Sequence, residues 1–202
     1  MLASVATPVS EARRSAWRDG WWWRAQHLHS PNFDCRPQEA DVSLVVLHSI
    51  SLPPGVYGGS CIEQLFTNGL DWAAHPYFEG LRGMVVSAHF LIRRDGRLLQ
   101  FVSCDQRAWH AGQSTWRGRD RCNDYSIGVE LEGLEGDAFE NEQYQTLVTL
   151  LRALERRYPV AEVVGHEHVA PTRKHDPGAG FDWPHLAQRL RWRTSRVPFA
   201  MR

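Results

Sequence analysis

The chain has 202 residues, enough to bury a full core in one domain without staples. Its 23 lysines and arginines balance 23 aspartates and glutamates, so no net field draws it to nucleic acid or to a membrane surface, and neither is expected as a partner. The four cysteines, Cys35, Cys61, Cys104 and Cys122, are scattered without a C-x-x-C pair; this argues against a zinc knuckle or redox dithiol and fits free thiols in a reducing compartment.

At the N-terminus there is no basic leader, and Pro8, Glu11, Arg13 and Arg14 interrupt its mildly apolar start. Neither a signal peptide nor a membrane span is expected, and the location reads as cytoplasmic. Residues 1–19 read as a loose extension, residues 20–190 as the folded domain, and residues 191–202 as a basic tail. That tail holds Arg191, Arg193, Arg196 and Arg202 without an acid, which fits a solvated or disordered segment better than a binding site. Trp21-Trp22-Trp23 begins the part that can bury area. Most of the nine tryptophans are expected to pack in the core, with stacking on a sugar ring the minority role.

Residues 30–37 form an irregular, turn-rich connection. Residues 42–47, Val-Ser-Leu-Val-Val-Leu, are a nearly continuous apolar run of strand length that stops at His48. A long excursion of weak periodicity occupies residues 51–82, and excursions of that length inside a compact domain are usually functional. Residues 87–93 and 97–102 flank Asp95-Gly96, the pattern of a hairpin with a two-residue turn; His89 in the first arm reads as structural. Residues 105–123 read as a solvated, turn-rich loop carrying Trp109-His110-Ala111-Gly112 and the basic cluster Arg117, Arg119 and Arg121.

Residues 126–132 alternate with period two. Ile127, Val129 and Leu131 face one way and Glu130 and Glu132 the other, and pattern alone does not choose between the two carboxylates. From 141 to 158, Tyr144, Leu147, Val148, Leu151 and Leu154 make one apolar helical face, which Pro159 ends. Val163-Val164 then forms a short strand, and a further short helix is expected over 181–190. No internal repeat is present. The order is that of an α/β domain with a central mixed sheet flanked by helices.

The richest concentration of ligand-type side chains is residues 165–178, where Gly165 lets the backbone turn and His166 stands at the end of a buried strand. Pro171 and Pro177-Gly178 forbid a continuous helix, so a proline-held loop presents His166 and Asp176. A zinc site needs at least three protein ligands, so the third lies elsewhere in the chain. His48 also ends a buried strand, and functional groups gather at strand carboxyl ends in open α/β sheets.

Several ungapped segments in order carry a resemblance: 47–55 around His48-Ser49, Ser87-Ala88-His89, 91–96, 107–112 around Trp109-His110, Cys122-Asn123-Asp124, 128–133 around Glu130, and Lys174-His175-Asp176-Pro177-Gly178. Together, over about residues 30–186, they resemble the AmpD family of cytoplasmic 1,6-anhydro-N-acetylmuramyl-L-alanine amidases. The resemblance implies a zinc amidase fold shared with phage lysozyme-type amidases and peptidoglycan-recognition proteins. It implies hydrolysis of the amide between the lactyl group of anhydromuramic acid and L-alanine, in cell-wall recycling and so in control of β-lactamase induction. Carried over by position, it assigns one zinc to His48, His166 and Asp176, the acid/base role to Glu130 and a catalytic role to Lys174.

The same carry-over places Arg121 on a stem-peptide carboxylate and Trp109 against substrate. Ser49 stands where relatives have Asn, and Val85 where some have Arg, so the diaminopimelate contacts differ from the family pattern. Two imidazoles and one carboxylate leave a fourth zinc position open, the arrangement of a catalytic centre. Two other readings are a non-catalytic peptidoglycan-binding module, which typically lacks a zinc ligand, and a periplasmic amidase of the intact wall, against which the missing signal peptide argues. A small muropeptide is the expected substrate, and no obligate protein partner is evident.

Overall fold

The structure is a computed structural model that describes residues 16–192 and 194–198. Its centre is a six-stranded mixed sheet made of β1 (Gln26–His27), β2 (Leu44–Ile50), β3 (Phe90–Ile92), β4 (Leu98–Gln100), β5 (Ser126–Glu132) and β6 (Glu162–Gly165), in the order β6-β2-β5-β3-β4-β1. β6, β2, β5 and β3 are mutually parallel, β4 is antiparallel to β3, and β1 runs parallel to β4. Among the described residues five α-helices accompany the sheet: α1 (Cys61–Phe66), α2 (Pro76–Glu79), α3 (Asn141–Glu155), α4 (His166–Val169) and α5 (Trp183–Leu190).

Period-two alternation distributes the strand side chains between the two faces of the sheet, where they join three apolar clusters. Val45, Leu47, Phe90, Ile92, Ile127, Val129, Leu131 and Val163 meet Leu147, Leu151 and Leu154 of α3 and Leu186 and Leu190 of α5. On the other face, Leu91 and Leu99 pack under Ile62, Leu65, Phe66 and Phe78 of α1 and α2. Leu44, Val46 and Val164 pack with Ala111, Cys122 and Tyr125. Each fully buried aliphatic side chain contributes about 1.5–3 kcal/mol relative to exposure, so both faces are covered and the strands read as apolar runs. Gln143 of α3 ties helix to sheet by donating to Ile92 O at 3.2 Å and Glu132 O at 3.0 Å.

Several expectations need correction. The excursion over 51–82 is not irregular throughout: it holds α1 and α2, whose apolar side chains build the second core. Helices of six and four residues are too short to show periodicity, although Ile62, Leu65 and Phe66 stand at i, i+3 and i+4. The hairpin turn has three residues, not two. Arg93 N donates to Arg97 O and Gly96 N to Arg93 O, each at 2.9 Å, and Gly96 alone takes a left-handed φ of 82°. A two-residue type I′ turn would have required the same of Asp95, so this is the three-residue hairpin with glycine at the bulge.

Residues 105–123 are not a solvated loop. Gln106–Ala108 pairs with Phe33–Cys35, inside the segment read as irregular, and Thr115–Trp116 pairs with Arg119–Asp120. Ala108, Ala111 and Cys122 are fully buried there. His89 is structural as expected: it is fully buried, accepts from Gly128 N at 3.0 Å and faces Gln106 O at 3.1 Å. Helix α3 ends at Glu155, three residues before Tyr158.

At the termini, residues 1–15, Arg193 and Arg202 lie outside the described residues. Ordered chain begins before residue 20, since Trp17–Arg18 pairs with Trp21–Trp22 and the Trp17 and Trp22 rings stack at 5.7 Å. Part of the basic tail is docked as well. Arg196 bonds Glu155 at 2.5 Å, Val160 O at 2.7 Å and Ala161 O at 2.9 Å, and its guanidinium lies 3.9 Å from the centre of the Trp192 ring.

Candidate metal centre

The order β6-β2-β5 brings three parallel strand ends side by side. Glu130 pairs with His48 across β5 and β2, and Gly165 pairs with Leu47 across β6 and β2, so His166 emerges next to His48. His166 is the first residue of the single turn α4, a helix the sequence reading missed because Pro171 follows so soon. The loop after α4 returns through Lys174 and Asp176. Glu167 N donates to Asp176 O at 2.9 Å, and Pro177 passes so near Gly165 that a Cβ there would lie 2.7 Å from Pro177 Cδ. Glycine at 165 is therefore required by the close approach of the loop that carries Asp176.

Three donor atoms converge. His48 Nδ1 lies 3.0 Å from His166 Nδ1, and Asp176 Oδ2 lies 3.1 and 3.2 Å from the two nitrogens. His48, His166 and Asp176 form the cluster able to hold a metal among the described residues. Tetrahedral zinc with bonds of about 2.0–2.1 Å sets its donors about 3.3 Å apart, so the observed spacing is that of a nearly formed site. Burial pulls the His48 imidazole down to about 4, which keeps it neutral at pH 7 as a ligand must be. Burial raises Asp176, but the hydrogen bonds to His166 and His48 outweigh it and hold the carboxylate well below its usual range.

Glu130 is buried beside this cluster, and its Oε2 has no hydrogen-bond partner among the described residues. Burial, and then the charge of Asp176, push its pKa well above the usual carboxylate range, while Lys174 draws it part of the way back. A buried carboxyl with a free oxygen and a raised pKa is poised to take up and return a proton. Lys174, half-buried on the Asp176 loop, is the cation near enough to act on both Glu130 and His48.

Glu132 has a different environment, which separates the two carboxylates that pattern left equal. It is 2% exposed and its oxygens are occupied: Oε1 accepts from Arg93 Nη1 at 2.6 Å and Gly58 N at 2.7 Å, and Oε2 from Arg94 N at 3.2 Å. Arg93 also donates to Gly59 O at 2.6 Å and bonds Glu63. This buried network pins residues 58–63 of the long excursion to the end of β5.

The remaining assigned residues are not part of this cluster. Ser49 follows His48 and is half-buried. Trp109 is half-buried, with its backbone clamped to Ser87. Arg121 is exposed, takes a left-handed φ of 60° and pairs with Asp124 at 3.2 Å, so its reach toward substrate is not built into these contacts. His110, named in the sequence only within a turn-rich loop and a resembling segment and given no role there, lies against His48 with Nδ1 3.0 Å from His48 Nε2.

A mostly parallel sheet whose strand ends gather two imidazoles and a carboxylate beside a buried glutamic acid has the residues of a hydrolase site that could hold a metal. Residues 38–179 match the N-acetylmuramoyl-L-alanine amidase family, and the chain belongs to that family. It is 52% identical over 167 residues to the 1,6-anhydro-N-acetylmuramyl-L-alanine amidase AmpD of Citrobacter freundii, a match spanning 82% of this chain and 89% of that protein. A crystal structure of a selenomethionine AmpD derivative superposes with a TM-score of 0.84 at 50% identity, covering 86% of this chain and 98% of that one. The Escherichia coli amidase AmiD, solved as a complex with anhydro-N-acetylmuramic acid-L-Ala-D-γ-Glu-L-Lys, is 31% identical with a TM-score of 0.54, over 76% of this chain and 60% of that one.

Proposed function

We propose that this amidase hydrolyses the bond between the lactyl carbonyl of 1,6-anhydro-N-acetylmuramic acid and L-alanine in small muropeptides released during cell-wall turnover. The observation that carries this reading is the convergence of His48 Nδ1, His166 Nδ1 and Asp176 Oδ2 beside the unpartnered Oε2 of Glu130. The similarity to AmpD along most of both chains, and the anhydromuramyl peptide held by AmiD, support the substrate class.

The residues fit one zinc ion, held by His48, His166 and Asp176. When bound, that ion polarises the scissile carbonyl and lowers the pKa of a water to about 7. Glu130 Oε2 takes the proton of the attacking water and returns it to the departing alanine nitrogen, a relay typically worth about 10²- to 10⁴-fold. Burial, by raising its pKa, favours uptake of the proton, and the departing amine nitrogen is the stronger base that receives it. Lys174 offers its ammonium to the carbonyl oxygen as that atom turns negative. In this reading Ser49, Trp109 and Arg121 contact the muropeptide, Arg121 through a stem carboxylate. The four free thiols accord with action in the cytoplasm, and among the described residues no helix is long and apolar enough to cross a membrane.

The intact ligand set and the free glutamic acid favour catalysis over a role confined to binding. The test is hydrolysis of a purified anhydromuramyl tripeptide beside intact sacculi, with products identified by mass. Release of the free peptide from the small substrate at well over tenfold the rate from sacculi is expected, about 1.4 kcal/mol or more of transition-state discrimination. Equal rates would turn the assignment toward an amidase of the assembled wall.

A further inference from the structure

Both ligating imidazoles aim Nδ1 at Asp176, which fixes where their protons reside. With the Nδ1 lone pairs committed to the metal, each ring carries its hydrogen on Nε2 and must donate it. The two acceptors come from adjacent residues of one segment. His48 Nε2 faces His110 Nδ1 at 3.0 Å, and His166 Nε2 faces Ala111 O at 3.2 Å.

That segment is itself held on several sides. Asn123 Oδ1 accepts from His110 N at 3.3 Å and from Ala111 N at 2.8 Å. Arg173, next to Lys174, donates to Ala111 O at 2.9 Å and to Gln113 O at 2.7 Å. The His110 ring lies over Gly128 so closely that a Cβ there would sit 2.4 Å from its Cγ. On its far side, His110 Nε2 meets Ser126 Oγ at 3.3 Å.

We propose that His110, together with the carbonyl of Ala111, is the outer support of the metal centre: His110 accepts the Nε2 proton of His48 and thereby sets that ligand's tautomer and ring orientation. His110 is a positioning residue and not a ligand. The direction of the relay follows, His48 Nε2–H to His110 Nδ1 and then His110 Nε2–H to Ser126 Oγ. The inference rests on the zinc reading above, and it explains why a histidine, a glycine at 128 and an asparagine at 123 occur together.

The test measures zinc affinity by competition with a chromophoric chelator, beside the melting temperature of the metal-free chain. His110→Phe fills the space without offering an acceptor and should weaken zinc about 10- to 100-fold. His110→Asn, whose Oδ1 can accept the same proton, should recover most of that loss. Nitrogen-15 spectra of the zinc-loaded wild type should place the protons of His48 and His110 on Nε2, a readout that needs no variant to fold. Wild-type affinity in His110→Phe, equal weakness in the Phe and Asn variants, or a proton on His110 Nδ1 would each overturn the proposal. If the wild type itself binds no zinc, it is the metal reading that falls; if it binds zinc and His110→Phe binds it as well, only this inference does.

Discussion

Glu130 and Glu132 project from the same face of one buried strand, yet their removal should produce opposite phenotypes. Glu132→Ala strips Arg93 of a bond of 2.6 Å at a site where the two side chains are 2% and 3% exposed, and leaves Gly58 N and Arg94 N without their acceptor. Breaking a buried pair by removing one partner costs about 3–5 kcal/mol. Arg93 keeps Gly59 O and Glu63, so the lower part of that range, about 3 kcal/mol, is expected. For a domain of this size that is roughly 6–12 °C in melting temperature. Glu130 Oε2 has no partner to strand among the described residues, and its neutral form is already favoured by burial. Glu130→Ala should therefore melt within a few degrees of wild type and retain zinc, while kcat falls at least about 100-fold. Thermal melts paired with kcat measured well below the melting range separate the two effects. Equal destabilisation in the two variants, or a 100-fold loss of kcat in a fully stable Glu132→Ala, would refute the division of labour.

The metal-free chain should lose stability in acid. The folded His48 titrates at about 4 against a usual 6.5, so between those values the unfolded chain binds a proton that the folded one refuses. The His48 contribution is full above about 6.5 and declines as pH falls toward 4, by up to about 3 kcal/mol; buried His89 and His110 act in the same sense, as does Asp176 at lower pH, while the raised carboxyl of Glu130 opposes them without cancelling all three histidines. Urea midpoints in chelator across that range check the slope, and a flat profile would contradict it. His166→Ala should abolish stoichiometric zinc by metal analysis, whereas retention of one zinc per chain would show the ligand set to be wrong. Arg121→Ala should raise KM for a stem ending in diaminopimelate more than for bare anhydromuramyl-L-alanine, because only the former offers a distal carboxylate to the exposed guanidinium. Equal KM changes for the two substrates would remove Arg121 from the stem-peptide site.

The parts of the centre carried by long buried strands were legible from residue order. Apolar runs that stop at His48 and before His166 locate two strand ends, and prolines on either side of Lys174-His175-Asp176 mark a constrained loop. What pattern could not supply is adjacency. Glu130 becomes the neighbour of His48 only through the parallel register of β5 on β2, and Glu132 is excluded only because Arg93 and the backbone of residues 58 and 94 occupy it. His110 was illegible for the same reason: its partner lies 62 residues away, and nothing in the surrounding turn residues distinguishes it from a surface histidine. The helices α1 and α2 are hidden by brevity, and the hairpin turn by the two readings that Asp95-Gly96 allows until the backbone shows a single left-handed residue at Gly96.

The most direct test of the central claim is to titrate zinc into chelator-stripped enzyme while following peptide release from an anhydromuramyl tripeptide. Activity should return in proportion to added metal and break at one equivalent per chain, with no recovery in Asp176→Ala. Full activity in the stripped enzyme, or recovery in Asp176→Ala equal to wild type, would contradict a zinc amidase built on His48, His166 and Asp176.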